Sequence, residues 1–295
     1  MVTKQLKVRF IKPMHQAKWM ANVVPVPKKD EKVRMCVDFR DLNKTCPKYD
    51  FPLPHIDVLV DNTAGSALMS FMDDFSGYNQ IKIAPRDMTK TIFSIECGIF
   101  CYIVMPFGLK NAGATYQGMT TALLHDMMHN EFEVYVDDMI VKSKDRGGHI
   151  INLRKFFERI KEYRLRVNPQ KCTFGVTIRK LLGLLVSDRG LEVDPSKIKA
   201  ILEMPPPKNE KKIKGFQGRL QYIIRFIAKL TSTCEPIFKL LRKNEPHTWN
   251  EECQKSFELI KECLLHPPIL VPSQHEKPLL LYLSIIRDTV GSMLA

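Results

Sequence analysis

Two aspartates, Asp137 and Asp138, stand side by side inside the apolar run FEVYVDDMIVKS, residues 132–143. A carboxylate buried without a partner is costly, so a charge pair in a strand-like segment asks for a compensating cation. A third aspartate, Asp73, ends a second apolar run, SFMDDFSGY. If the two runs form neighbouring strands, three carboxylates converge, repel one another and raise their own pKa values. Two divalent cations about 3.5–4 Å apart would relieve that repulsion and stabilise an in-line displacement at phosphorus. Mg²⁺ suits this work because it prefers oxygen ligands and keeps waters for substrate phosphates. Asp74 follows Asp73, but alternation sends neighbouring strand side chains to opposite faces, so both cannot meet one metal from a regular strand. The plain alternative for either pair is a solvated turn. It weakens because two pairs occur in apolar contexts within a basic chain. Residue types and spacing thus point to metal-dependent phosphoryl transfer on nucleic acid.

The bulk properties agree. The chain has 295 residues, 44% of them hydrophobic, enough for about two domain-sized units. Its 45 Lys+Arg against 32 Asp+Glu give a net charge of +13. That excess calls for a polyanionic partner, nucleic acid or an anionic membrane. No apolar run approaches the ~20 residues of a membrane span. The eight cysteines include no CxxC pair, and Cys97 with Cys101 lacks a second pair to complete a zinc site. They read as reduced thiols of an intracellular protein. Residues 1–29 carry seven Lys/Arg and no acid, which could mimic a mitochondrial presequence. The segment is poor in Ser and runs on into strand-like WMANVVPVP, which fits a truncated domain start better.

The elements that must position the carboxylates can be read from periodicity. VRMCVDFRDLN alternates as a strand and then turns; KYDFPLPHIDVLVDNT opens a short helix after Pro52 and Pro54. LMSFMDDFSGYNQI is a strand with a turn at Ser76–Gly77. TIFSIECGIFCYIVMPFG is a hairpin with Gly98 in its turn, and FEVYVDDMIV is another with the aspartates at its tip. NAGATYQGMTTALLHDMMH is helical. HIINLRKFFERIKEYRL places Ile150, Leu153, Phe157 and Ile160 on one helical face. RKLLGLLVSDRGLEV is a further hairpin. Residues 208–243 hold ten Lys/Arg and two acids, a local +8, on two helices striped by Ile213, Phe216, Leu220, Ile224 and Ile227. A last strand, KPLLLYLSII, follows Pro267–Pro268, and VGSMLA has no evident element. Strands and helices mix without regular βαβ alternation, so the class is α+β.

Taken in order, RMCVDFRDLNK, SFMDDFSGYNQI, MPFGLKNAGATYQ, YVDD and NPQKCTFG with KLLGLLVSDRGLEVDPSKI resemble the reverse transcriptase of gypsy-type LTR retrotransposons, plant ones especially. The resemblance covers essentially the whole chain and rests on the ordered set, since YVDD alone is weak. It implies a right-hand polymerase fold. Residues 1–48 would be partial fingers, 49–80 the first part of the palm, 81–111 the second part of the fingers and 112–191 the second part of the palm. Residues 192–245 would be the thumb, 246–278 the connection and 279–295 a truncated RNase H-like start. The implied activity is RNA-directed DNA synthesis: a primer 3′-OH attacks the α-phosphate of a dNTP, with two Mg²⁺ ions for which Mn²⁺ may stand in. The partners would be an RNA or DNA template with its primer, and dNTPs, with no membrane. The setting would be intracellular, in a cytoplasmic retrotransposon particle or the nucleus.

Residue by residue, the resemblance makes Asp73, Asp137 and Asp138 the metal ligands. The backbone carbonyl of Asp74 would also touch a metal, and its side chain replaces a usually apolar or small one. Arg34 with Lys28 or Lys29 would grip the triphosphate, a planar guanidinium suiting phosphate oxygens; solvated turn charges are the alternative. Tyr78 would exclude a ribose 2′-OH, unless it is a core aromatic. Phe107 and Gly108 would lie beneath the incoming base pair. Gln117 ends the same motif and could equally be helix-surface polarity. Lys171 would protonate pyrophosphate, or is a plain surface lysine. Leu182 and Gly183 match the primer-grip hairpin. Lys211, Lys212, Lys214 and Arg219 would track the duplex backbone, or are solvated charge.

Other signals carry less. His125 and His129 in HDMMH have a zinc-helix spacing but no third ligand. In the RNase H pattern a catalytic Asp would fall near Ser284, so no RNase H activity is expected. Two rivals stand beside the polymerase. One is a catalytically silent remnant that only binds nucleic acid, supported by truncation and by Asp74. The other is a nuclease, opposed by the dNTP-gripping and steric-gate matches.

Overall fold

Short apolar runs with period-2 burial build the sheets, and capped amphipathic segments build the helices. The computed structural model describes residues 2–27, 33–241, 248–272, 278, 280–286 and 289–294, with backbone alone at 33–34, 282, 284–286 and 289–294. In chain order come α1 (Val2–Lys7), β1 (Ile11–Pro13), β2 (Val23–Pro27), β3 (Val33–Val37), α2 (Arg40–Thr45), α3 (Ile56–Thr63) and β4 (Leu68–Asp73). Then follow α4 (Pro85–Met88), β5 (Phe93–Ile95), β6 (Gly98–Tyr102), α5 (Ala112–Leu124), β7 (Phe132–Tyr135), β8 (Asp138–Ser143), α6 (Arg146–Glu162) and β9 (Thr173–Val176). The rest is β10 (Ile178–Leu181), β11 (Leu184–Ser187), β12 (Gly190–Val193), α7 (Pro195–Leu202), α8 (Glu210–Leu220), α9 (Leu230–Lys239), α10 (Glu251–Cys263), β13 (Leu281–Ile286) and β14 (Thr289–Leu294). The α+β class holds.

The chain divides into two units: residues 1–55 with 69–175, and residues 56–68 with 176–295. The first unit holds the four-stranded sheet β7-β8-β4-β9. One face buries Met72, Val134, Met139 and Val141 against Leu124 of α5 and Phe156 and Ile160 of α6. Each such side chain contributes about 1.5–3 kcal/mol when fully buried. Asp145 caps α6, its side chain accepting from Gly148 N–H at 2.7 Å. The buried residues of α6 are His149, Phe156 and Ile160, whereas Ile150 is 63% and Phe157 37% exposed. The expected apolar stripe is therefore displaced, because a polar histidine occupies the packed face. A second core, with Ile11, Phe39, Phe93, Phe100 and Tyr102, packs under the sheet β1-β6-β5. There Ile95 pairs with Gly98, so the turn is Glu96–Cys97 and Gly98 opens β6.

In the second unit β10, β11 and β12 form a meander rather than one hairpin. α8 buries Ile213, Phe216 and Leu220, with Phe216 edge-on to Phe257 of α10 at 5.3 Å. The helix ends there, so the expected stripe loses phase: Ile224 is 51% exposed while Ile227 is buried. α3 joins this unit through Gly65 N–H to Ser187 O at 2.9 Å and through Arg225, which reaches Asp57 at 3.0 Å and Asp61 at 2.8 Å. The expected last strand is β13, and Thr289–Leu294, in a segment that showed no evident helix or tail, pairs with it as β14. The eight cysteines are unbridged. No helix among the described residues is long and apolar enough to cross a membrane.

Candidate active site

β4 and β8 are neighbours, as the converging carboxylates require. Asp73 is the last residue of β4, and Asp138 is the first of β8, paired with Tyr135 across the β7–β8 hairpin. Between them Val136 and Asp137 make a two-residue turn. Val136 has φ +51°, a left-handed conformation that a β-branched side chain resists. Gln117 from α5 holds it there. Its Oε1 accepts from Val136 N–H at 2.6 Å, and its Nε2 donates to Val134 O at 3.3 Å. Gln117 is 0% exposed, so it is not helix-surface polarity. Its amide is committed to the turn that aims the aspartates.

The carboxylates feel one another. Partial desolvation, then the charges of Asp73 and Asp138, hold the Asp137 carboxyl above its ordinary range, and Lys171 pulls it part-way back. Asp137 is exposed at the tip, so the like charges carry more weight there than burial. Lys171 Nζ sits 3.0 Å from both Asp73 oxygens. The loop bearing Lys171 is tied down beside Asp73, whose carbonyl accepts from Asn168 N–H at 2.8 Å. Gln80 completes the tie with a reciprocal amide pair to Arg166, 2.7 Å to its N–H and 2.9 Å to its carbonyl.

Asp74 departs from the strand rule because β4 ends at Asp73, beyond which regular alternation stops. Asp74 makes one antiparallel bridge to Val167 and turns its side chain inward to 7% exposure. Neither carboxylate oxygen finds a hydrogen-bond partner among the described residues. Burial, then Asp137 and Asp73, push its carboxyl up to about 7. Gly77 lets this floor close: a Cβ there would lie 3.3 Å from Asp137 Oδ1, Asp74 Cβ and Tyr116 Cε2.

This donor set fits a divalent cation by its chemistry. It is all oxygen, and it carries more negative charge than Lys171 balances. Among the described residues no three Asp, Glu, His or Cys side chains already close around one point. His125 and His129 make no helical pair, because α5 stops at Leu124 and His129 sits beyond it at φ +66°.

The Tyr78 ring lies 5.1 Å from Phe107 and 5.7 Å from Tyr116. Burial, then Asp137, raise the Tyr78 hydroxyl above its ordinary value, so it stays protonated beside the carboxylates. Phe107 is 43% exposed, and Gly108 beside it adopts φ +96°, open to glycine alone at no cost. Asn43 clamps this loop, donating to Gly108 O at 2.8 Å and accepting from Lys110 N–H at 2.8 Å. Arg34 lies in β3 opposite Val26, with its side chain outside the described residues, as are Lys28 and Lys29.

In the second unit, Leu182 (φ +49°) and Gly183 (φ +95°) form the two-residue tip between β10 and β11, and nothing lies within 4 Å of a Cβ placed on Gly183. Lys211, Lys212, Lys214 and Arg219 ride on the exposed side of α8. Lys214 pairs with Glu210 at 2.6 Å, and Arg219 donates to Ala200 O at 2.6 Å.

Residues 26–217 match the family model described as reverse transcriptase (RNA-dependent DNA polymerase). The chain belongs to the reverse transcriptase family. It is 31% identical over 273 residues to the Transposon Tf2-3 polyprotein of Schizosaccharomyces pombe (strain 972 / ATCC 24843), covering 92% of this chain and 20% of that polyprotein. The Tf2-7 polyprotein of the same organism is 30% identical over the same length. This chain therefore spans about a fifth of the curated relatives it matches. Among solved structures, a foamy viral protease-reverse transcriptase in complex with dsDNA superposes with a TM-score of 0.87 at 22% identity, covering 100% of this chain and 62% of that one. The same viral protein with an RNA/DNA hybrid gives 0.78 at 22% identity, covering 96% of this chain and 38% of that one. The fold is that of the reverse transcriptase polymerase.

Sequence reading of this reverse transcriptase chain found the charged groups and missed their holders. Asn43, Gln80 and the turn-holding role of Gln117 carry no charge and follow no periodicity. Their one signal is an uncharged amide beside a motif.

Proposed function

We propose that this chain is the polymerase part of a gypsy-type, plant-like LTR retrotransposon polyprotein and that it extends a primer by RNA-directed DNA synthesis. The observation that carries the reading is the meeting of Asp73 with Asp137 and Asp138 at adjacent strand ends, with Tyr78 and Phe107 in ring contact in the same unit. Two Mg²⁺ ions, or Mn²⁺, held by Asp73, Asp137 and Asp138 with the Asp74 carbonyl, would lower the pKa of the primer hydroxyl and stabilise charge on the phosphates. Lys171, 3.0 Å from Asp73, supports a role in which it neutralises that carboxylate before the site is loaded and hands a proton to the leaving group afterwards. Tyr78 sets the wall against a 2′-OH; Phe107 and Gly108 form the base-pair floor. Arg34, with Lys28 or Lys29, grips the triphosphate. The Leu182–Gly183 tip contacts the primer, and the α8 cations follow the duplex phosphates. Residues 1–48 and 81–111 act as fingers, 49–80 and 112–191 as palm, 192–245 as thumb, 246–278 as connection and 279–295 as an RNase H-like start. The setting is a cytoplasmic particle or the nucleus.

One observation favours a second reading, a remnant that binds nucleic acid without catalysis: the orphaned carboxyl of Asp74 in the floor of the site. Primer extension on poly(rA)/oligo(dT) with Mg²⁺ or Mn²⁺ separates the two. Extension by the parent that is lost in Asp137→Asn/Asp138→Asn supports the polymerase. Tight, salt-sensitive binding of the same duplex without extension supports the remnant.

A further inference from the structure

His149 is 3% exposed in the first half of α6, yet it touches two strands through both ring nitrogens. Nε2 lies 2.7 Å from Ser70 Oγ of β4, and Nδ1 lies 2.8 Å from Ser143 Oγ of β8. Both serines are buried, at 0% and 8% exposure. Ser70 Oγ also accepts from Gly175 N–H of β9 at 3.0 Å. One imidazole thus joins β8 to β4, and Ser70 carries the link on to β9, the next strand of the sheet.

The bonds have a consistent direction. Ser70 Oγ already accepts from Gly175, so its own hydrogen is available to Nε2. With Nε2 accepting, the neutral ring carries its proton on Nδ1, which would donate to Ser143. Burial holds His149 below its ordinary pKa, which favours the neutral ring this pattern needs.

Stability alone does not account for the trio. The same sheet and helix otherwise bury apolar side chains together, among them Met72, Met139, Val141 and Phe156. Apolar residues of similar volume would fill that space without a desolvation cost. What short directional bonds add, and hydrocarbon does not, is one fixed spacing and register between strands. The two strands so joined are those that present the carboxylates. Ser70 lies three residues before Asp73, and Ser143 five residues after Asp138.

We propose that His149 is a positioning residue for the metal centre: by bridging Ser70 and Ser143 it locks β4 against β8 and fixes the separation of Asp73 from Asp137 and Asp138. The inference rests on the polymerase reading for what the carboxylates do, and on geometry alone for the bridge.

The test compares the full chain with His149→Phe, His149→Gln and Ser70→Ala/Ser143→Ala. Three quantities are measured: Mn²⁺ affinity by electron paramagnetic resonance, thermal midpoint by circular dichroism, and primer-extension kcat with KM for dNTP. In His149→Phe and in the serine pair, Mn²⁺ affinity and kcat are expected to fall about 10–100-fold, with KM changed less than about twofold and the folded signal kept. His149→Gln, which keeps a donor and an acceptor, is expected to recover part of both. Folded variants that bind Mn²⁺ as the parent does overturn the proposal and leave His149 a core residue. If His149→Phe does not fold, the two small serine truncations decide alone. A parent that binds Mn²⁺ but extends no primer sinks the polymerase reading, while the Mn²⁺ comparison still decides the bridge.

Discussion

At the scale of single residues, Asp74 and Gly77 set opposite demands on one small volume. Asp74 is 7% exposed with a carboxyl pushed up to about 7, against an ordinary value of 3.8. Between those values the folded state holds a proton that the unfolded chain has lost. Stability therefore falls as pH rises from about 4 through about 7, and is flat beyond. At 1.36 kcal/mol per pH unit the full penalty is on the order of 3–5 kcal/mol. Asp74→Ala is accordingly expected to be more stable than the parent in chelator. Its advantage should grow by on the order of 2–3 kcal/mol between pH 5 and pH 8, as read by urea unfolding at both pH values. An advantage that shrinks with pH would mean that Asp74 is ionised and paired. Gly77→Ala makes the converse test. A methyl 3.3 Å from Asp137 Oδ1 and Tyr116 Cε2 must push one of them aside. The expected cost is about 1–3 kcal/mol of stability and more than about tenfold in extension rate. The convergence of Asp73 with Asp137 and Asp138 was legible because charge in apolar strands is rare. The inward turn of Asp74 was not, since it depends on where β4 stops.

At the scale of elements, the α5 helix and the β7–β8 hairpin form one device. The hairpin was legible from alternation, although its turn is Val136–Asp137 and Asp138 already opens β8. The strain at Val136 was not, because nothing in YVDD demands a left-handed valine. A residue held off its preferred conformation persists only when its surroundings over-determine it, and here Gln117 does so from another element. Gln117→Ala is expected to leave Val136 N–H part-buried and unpaired, costing about 1 kcal/mol in urea unfolding. Extension should slow further than that loss explains, because the turn relaxes and Asp137 moves. Normal extension by a folded Gln117→Ala protein would show that the turn needs no holder. The α6 helix makes the complementary point. Its existence was legible and its packed face was not, because apolar periodicity cannot see a buried histidine whose bonds are all made.

At the scale of the molecule, linear reading kept residues 49–80 together, whereas α3 belongs with the chain after residue 175. Arg225 and Ser187, more than a hundred positions away, make that link, and no local pattern announces it. The net charge of +13, by contrast, was legible at once and has a whole-molecule consequence. Each phosphate neutralised by a lysine releases counterions, so the logarithm of affinity falls linearly with the logarithm of salt. The α8 cations should not contribute alike. Lys214 is already paired with Glu210, and Arg219 is bonded to a carbonyl at the end of α7. Lys211 and Lys212 lie exposed on the same helix, beside the open groove at Gly215. Lys211→Ala/Lys212→Ala is expected to lower the salt slope of primer–template binding by about 2, uniformly across sequences. Lys214→Ala should lower it by less than about 1, since it also frees Glu210. Fluorescence anisotropy of a labelled duplex between 50 and 300 mM KCl reads both slopes. Equal slopes for parent and double variant would remove α8 from the nucleic-acid path and return its charges to solvent.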